Sequence, residues 1–172
     1  MNISKIAIIG YSGSGKSTLA GICAQRYGLP VLYLDTLQFL PGWEIRDREE
    51  FRAKMAEFMK NDRWVIDGNY ARFFYEERMA EADRIYFLNF NRFNCLSRAL
   101  KRYFTYRGVA RESMAEGCTE KFDWEFFTWI LWKSRIPQQK QKFKRVLEQY
   151  PEKVTVIKNQ KQLSKVIAEI TR

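Results

Sequence analysis

The chain has no histidine. Imidazole proton transfer, Ser-His-Asp triads and histidine-ligated metals are therefore excluded. Any chemistry must rest on carboxylates, positioned cations and a metal held by oxygen. Cysteine is scarce as well. Cys23, Cys95 and Cys118 are odd in number and show neither C-x-x-C nor metal-ligand spacing. They read as reduced thiols of a cytoplasmic protein, not as a disulfide framework or a zinc site. No apolar run approaches the length of a membrane span, and the basic-then-apolar opening of a signal peptide is missing, so no membrane partner is expected. Acidic residues are in deficit: 30 Lys and Arg against 20 Asp and Glu leave a net charge of +10. That excess suits a nucleic-acid partner or a cleft that neutralises small anions. A hydrophobic content of 46% and an aromatic content of 16% exclude a disordered chain. The length of 172 residues fits one domain, residues 1–172.

What is present centres on Ile6 to Leu19. An Ile-rich run (Ile3, Ile6, Ile8, Ile9) reads as a buried strand, and Gly10-Tyr-Ser-Gly-Ser-Gly15-Lys16-Ser17 follows it. Gly10, Gly13 and Gly15 allow a tight turn whose amides point at an anion, and a helix beginning near Lys16 adds its positive end. Lys16 can reach β- and γ-phosphates, and the Ser17 hydroxyl is placed for Mg²⁺. Strand, loop and helix together are the context the G-x-x-x-x-G-K-[ST] motif requires. Gly10, Ser12, Gly13, Ser14, Gly15, Lys16, Ser17 and Thr18 thus form the expected nucleotide-binding set.

Further strands are expected at Val31–Leu34 (ending at Asp35), Trp64–Ile66 (closing on Asp67-Gly68-Asn69-Tyr70), Ile85–Leu88 and Val154–Ile157. Helices are expected over Lys16–Tyr27, after the N-cap Asp47, around Glu76–Glu81, over Arg92–Phe104, after Pro137, and through Leu163–Ile170. The stretch around Pro41-Gly42-Trp43 reads as irregular. Alternating strands and helices predict an α/β, three-layer fold with a five-stranded parallel sheet. Periodicity vanishes between Thr105 and Lys121, and residues 105–135 are expected to form a helical lid inserted in the domain. On the preceding helix the apolar positions Phe93, Leu96, Leu100 and Phe104 recur at helical spacing, with Arg98 and Arg102 on a neighbouring face. Phe122 to Trp132, with Trp124, Phe126, Phe127, Trp129 and Trp132, is expected to be a helix buried on most sides, in preference to a base-stacking platform.

Ligands of such sheets bind beyond the carboxyl ends of the strands. Asp67, ending a hydrophobic strand, is expected to support Mg²⁺ with Ser17, the alternative being a plain Asp-Gly turn. Asp35 is expected to orient or deprotonate a phosphoryl acceptor, or else to cap the next turn. Arg98 and Arg102, one turn apart, are candidate cations for the transferred charge or simply a solvated helix face; Arg107 and Arg111 lie nearby, and Arg46, Arg72 and Arg135 are weaker choices. A GTPase would show N-K-x-D; the nearest string, Asn159-Gln160-Lys161-Gln162, does not match. A compact ATP-dependent kinase with Mg²⁺ and an unidentified small-molecule acceptor is the leading expectation. A nucleotide-gated nucleic-acid-binding protein is the second.

Several strings extend beyond the phosphate loop: Tyr33-Leu-Asp35, Pro41-Gly-Trp43, Trp64-Val-Ile-Asp-Gly-Asn-Tyr70, Gly117-Cys118 and Phe122-Asp-Trp-Glu-Phe126. Together they resemble the small bacterial P-loop proteins known as DNA topology modulation proteins, which are similar to adenylate kinases. The resemblance spans essentially the whole chain. It implies a five-stranded sheet with a lid, Asp67-Gly68 beside the magnesium site, and Arg98 and Arg102 as the Arg pair before the lid. It also implies that the loop with Lys158 and Asn159 lies near the base. Adenylate kinases carry Asp-Gly-Phe-Pro-Arg where this chain has Asp67-Gly-Asn-Tyr-Ala-Arg72, and the segment Asp35 to Arg52 differs from a nucleoside-monophosphate pocket. ATP is the implied donor, and the acceptor stays open. No helix-turn-helix, zinc finger or catalytic tyrosine context points to direct action on DNA topology.

Overall fold

Four consecutive side chains of β1 (Lys5–Gly10), Ile6 to Ile9, are at most 1% exposed, so this strand has protein on both faces. It occupies the middle of the sheet for that reason. The computed structural model describes residues 3–106, 113–115, 117–118 and 122–172. After β1 come α1 (Lys16–Tyr27), β2 (Val31–Tyr33), α2 (Leu34–Gln38), β3 (Phe39–Leu40), β4 (Glu44–Ile45), α3 (Arg48–Met59) and β5 (Trp64–Asp67). Then follow α4 (Tyr75–Glu81), β6 (Arg84–Leu88), α5 (Arg92–Thr105), α6 (Trp124–Leu131), α7 (Pro137–Gln149), β7 (Val154–Ile157) and α8 (Gln160–Thr171).

Five strands pair in the order β2-β5-β1-β6-β7, all parallel. The register sets Asp67 opposite both Ile8 and Tyr33, and Leu88 opposite both Gly10 and Ile157. The chain moves outward from β1 in one direction to β2 and in the other to β6. The crevice at that reversal opens at the end of β1, where the glycine loop begins. Tyr86 interacts with Cys23 and Tyr27 of α1 and with Glu169 of α8, whereas Phe87 packs on Phe143 of α7. Because successive strand residues face opposite ways, α1 and α8 cover one face and α7 the other, giving three layers.

Local signals act where expected. Gly28 ends α1 in the left-handed conformation, and Asp47 caps α3 by accepting from the amides of Glu49 and Glu50. Pro137 opens α7 at its first position, where its missing N–H costs nothing. All three cysteines are buried and free.

Three expectations are corrected. The second strand stops at Tyr33, and Asp35 sits in the first turn of α2 instead of ending a strand. The stretch read as irregular is an antiparallel hairpin, β3–β4, turned through Pro41–Trp43 with Gly42 at φ 79°. The helix expected over Arg92–Phe104 is present as α5; its buried residues are Cys95 and Ala99, while Phe93 and Phe104 are each 70% exposed. Small side chains let α5 approach the glycine loop closely, which places the large ones outward. Helix α6 buries only Ile130 and Leu131; Trp124 is 74% exposed and Trp132 54%. Eight residues give it one packed face, and its aromatics exceed what that face can cover. The residues expected to form the lid lie in part outside the described residues, Arg107 and Arg111 among them.

Candidate active site

The glycine loop connects β1 to α1 and is closed from within. Ser14 donates both its amide, at 3.2 Å, and its hydroxyl, at 2.6 Å, to the carbonyl of Tyr11. Lys16 Nζ donates to the same carbonyl at 3.2 Å, which folds its ammonium back over the loop. Gly13 has φ 78°, and a Cβ there would meet the Cys95 carbonyl oxygen at 2.4 Å. Neither the dihedral nor the space admits another residue. Gly15 caps α1 in the left-handed conformation, so the first-turn amides of Lys16, Ser17 and Thr18 lack carbonyl partners within the helix. The loop therefore presents an ammonium group and a helix N-terminus to one small volume, an arrangement able to hold an anion.

Asp67 ends β5 next to the loop. Ser17 Oγ donates to its Oδ2 at 2.7 Å, while its Oδ1 is buried and has no hydrogen-bond partner. Burial pushes its carboxyl up to about 6, against the opposing pull of Lys16 and the Ser17 hydroxyl, with Asp35 adding to the rise. A buried, half-satisfied carboxylate beside a hydroxyl is an oxygen-only donor pair. It suits Mg²⁺, which takes few protein ligands and keeps water and substrate phosphate oxygens. Among the described residues there is no cluster of three or more His, Cys, Asp or Glu that could hold a metal alone.

The Gly68–Phe74 segment, with Asn69 and Tyr70 at the ligand edge, carries groups to which the sequence assigned no role. Asn69 grips Gly10 on both sides, its Oδ1 accepting from the Gly10 amide at 2.9 Å and its Nδ2 donating to the Gly10 carbonyl at 2.6 Å. Tyr70 donates its hydroxyl to Asp35 Oδ1 at 2.7 Å; burial first, and then Asp35, raise its phenol out of the titrating range. Arg78 of α4 is wholly buried and donates to the carbonyls of Gly68 and Tyr70 at 3.0 Å and of Phe74 at 3.2 Å. It clamps the segment that positions Asn69 and Tyr70. The spacing of Tyr75, Arg78, Met79 and Ala82 puts Arg78 on the buried face of its helix, and that pattern is readable in the sequence.

The two candidate arginines part company. Arg98 donates from Nε to the Gly13 carbonyl at 3.1 Å, lies over Phe90 and reaches the Gln160 side chain at the start of α8. Burial lowers its pKa. Arg102, one turn on, lies over the ring of Phe126, 5.9 Å from its centroid, on the α6 side. Asn159 caps α8 by accepting from the Gln162 amide at 3.0 Å, so its side chain is engaged although its loop lies beside Arg98. Ser12 accepts from the Trp129 indole at 3.2 Å, and Thr18 is exposed. Arg135 stacks on Tyr11 at 3.6 Å and donates to the Phe90 carbonyl at 2.8 Å. Arg46 pairs with Glu50, away from the loop, and Arg72 is exposed.

No family model and no curated protein matches this chain. Solved structures do. A gluconokinase from Sinorhizobium meliloti aligns with 98% of this chain and 89% of its own, at 18% identity and a TM-score of 0.52. A shikimate kinase from Acinetobacter baumannii, in complex with shikimate, aligns with 98% and 90%, at 17% identity and a TM-score of 0.51. This chain has the P-loop kinase fold. At such identity the likeness establishes the architecture alone.

Proposed function

We propose that the protein is an ATP-dependent kinase that transfers the γ-phosphoryl group to a small-molecule acceptor, with Mg²⁺ as cofactor. The observation that carries this reading is the Ser17–Asp67 contact: a loop hydroxyl and a strand-end carboxylate, 2.7 Å apart, with one carboxylate oxygen unpartnered. A plain turn would not need a buried carboxylate held half-satisfied at a cost in stability. Phosphoryl transfer asks the protein to position two substrates and to neutralise charge. Here the loop amides and Lys16 hold the polyphosphate. Arg98 braces the loop from below and adds a positive charge beside it. Ser17 and Asp67 would hold the metal, which would supply neutralisation of phosphate charge. The Asp35–Tyr70 pair, just beyond the ends of β2 and β5, faces the acceptor side and orients its hydroxyl or accepts that proton. The segment 105–135 is assigned as a lid that excludes water on closure.

The test is release of ADP from ATP over a panel of nucleosides, nucleotides and small hydroxy acids, with and without magnesium. One acceptor class is expected to stimulate metal-dependent turnover. Lys16→Ala is expected to lower it by at least about 10²-fold with an unchanged circular dichroism spectrum. Unchanged turnover in that variant, or no heat of ATP binding to the native protein, would remove the proposal.

A second reading, nucleotide-gated nucleic-acid binding, has one structural observation in its favour: the exposed indoles of Trp124 and Trp132 on a chain of net charge +10. Such rings can stack on bases. Retention of DNA that weakens steeply with salt and responds to ATP would support it, and an indirect link to DNA topology could follow. Absence of retention at low salt would dismiss it.

A further inference from the structure

On the α7 face of the sheet, away from Ser17 and Asp67, a cleft of about 340 Å³ opens between the end of β6 and helix α7. Four of its lining residues are cationic: Arg92, Arg135, Lys140 and Lys144. None is acidic. Its apolar wall is Phe87, Phe143 and Leu147. Lys140, Phe143, Lys144 and Leu147 recur at helical spacing, so one face of α7 supplies both charge and apolar surface. Arg92 is the first residue of α5, whose N-terminus adds positive potential.

The charges are not absorbed internally. Among the described residues, the side chains of Arg92 and Lys140 pair with no carboxylate. Lys144 meets only Glu148, one turn along at 3.3 Å, in a solvent-exposed pair of little strength. Arg135 is held in place by the Phe90 carbonyl and the Tyr11 ring, neither of which neutralises it. Uncompensated cations around a concave apolar surface repel one another, and an anion would relieve that cost. The volume lies in the range of small-molecule sites.

We propose that this cleft is a second ligand site, binding a small organic anion: a phosphate or carboxylate group carried on a planar or apolar body. The anionic group lies among Arg92, Lys140 and Arg135, and the body lies against Phe143 and Leu147. Tyr11 joins this site to the phosphate loop. Its ring lines the cleft, and its carbonyl accepts from Ser14 and Lys16. The ligand therefore contacts the residue that closes the loop. A concave wall suits a compact molecule better than a nucleic-acid strand, which would need a continuing basic track.

The probe is phenylphosphonate, which has the required chemistry and cannot donate a phosphoryl group by hydrolysis. Calorimetry is run on the native protein, on Lys16→Ala, and on the double variant Arg92→Gln/Lys140→Gln, with circular dichroism on each. The expected result is one site per chain, retained in Lys16→Ala and weakened at least about tenfold in the double variant. No heat at millimolar probe, equal binding by the double variant, or loss in Lys16→Ala would overturn the proposal. The last outcome would place the anion in the phosphate loop. A single-stranded oligonucleotide that binds through Arg92 and Lys140 and resists displacement by the probe would also overturn it, in favour of nucleic acid. The Lys16→Ala arm separates this site from the kinase reading, so either can fail alone.

Discussion

Around the phosphate loop, polar groups already hold one another. Asn69 grips Gly10, Arg98 reaches the Gly13 carbonyl, and Ser17 meets Asp67, with donors and acceptors 2.6 to 3.1 Å apart. On α6 the relation is reversed. Trp124 and, just past its end, Trp132 face solvent, and the bond from Trp129 to Ser12, at 3.2 Å, ties the helix to the loop. One region is pre-organised through backbone and short side chains; the other holds apolar area in reserve. A site that must grip a polyphosphate benefits from rigidity, because donors fixed before binding lose little entropy on binding. A segment that must open and close benefits from weak anchorage.

This contrast can be broken or sharpened by substitution. The largest effect is expected at Gly13. Gly13→Ala forces a Cβ into a left-handed backbone and against the Cys95 carbonyl, destabilising the fold by about 2–4 kcal/mol in urea unfolding and abolishing ATP binding. A stability within error of the native protein would mean that the loop is not rigid.

Asp67→Asn comes next, and here two effects oppose. Metal-dependent turnover should be lost, whereas stability at pH 7 should rise. The folded carboxyl binds its proton near 6, and an unfolded aspartate near 3.9. The folded chain thus holds more protons between those values. The contribution of this group to stability is full below about pH 4 and is lost as pH rises through about 6. The Asn variant escapes that loss and is expected to be more stable by up to about 3 kcal/mol at pH 7, with the gap closing towards pH 4. Thermal melts at the two pH values read the sign directly, and a less stable variant at pH 7 would contradict it.

Tyr70→Phe removes the donor to Asp35 at the edge of the site. About 1 kcal/mol is expected, appearing as a raised KM for the acceptor with the KM for ATP unchanged. A change confined to ATP would move this pair to the donor side. The smallest effect is expected on α6: Trp124→Ala should alter stability by less than about 0.5 kcal/mol. A larger loss would show that the exposed indole is covered in solution.

Much of the glycine loop's geometry was legible in the chain itself. Gly13 and Gly15, the Ile-rich strand before them and Lys16-Ser17 after them describe a structure made by backbone geometry, and backbone geometry is local. Asp67 was readable because a carboxylate at the end of an apolar strand falls on the ligand edge of a parallel sheet. Arg98 and Arg102 could not be told apart from their spacing. Arg98 turns to Gly13 and Gln160, and Arg102 to Phe126, a choice made by elements more than twenty residues away. Periodicity identified the apolar stripe of α5 but could not say whether anything covers it. Cys95 packs closely against the loop at Gly13, and Phe93 and Phe104 stay exposed.

The order of residues thus determined the strands, the glycine turn and the cations available, because each depends on dihedral preference and nearest-neighbour packing. Tertiary structure decided which carboxylate oxygen stays unpartnered, which arginine braces the loop, and which basic side chains converge on an unneutralised cleft. Those outcomes depend on long-range distances and on desolvation, which exist only once the layers have closed.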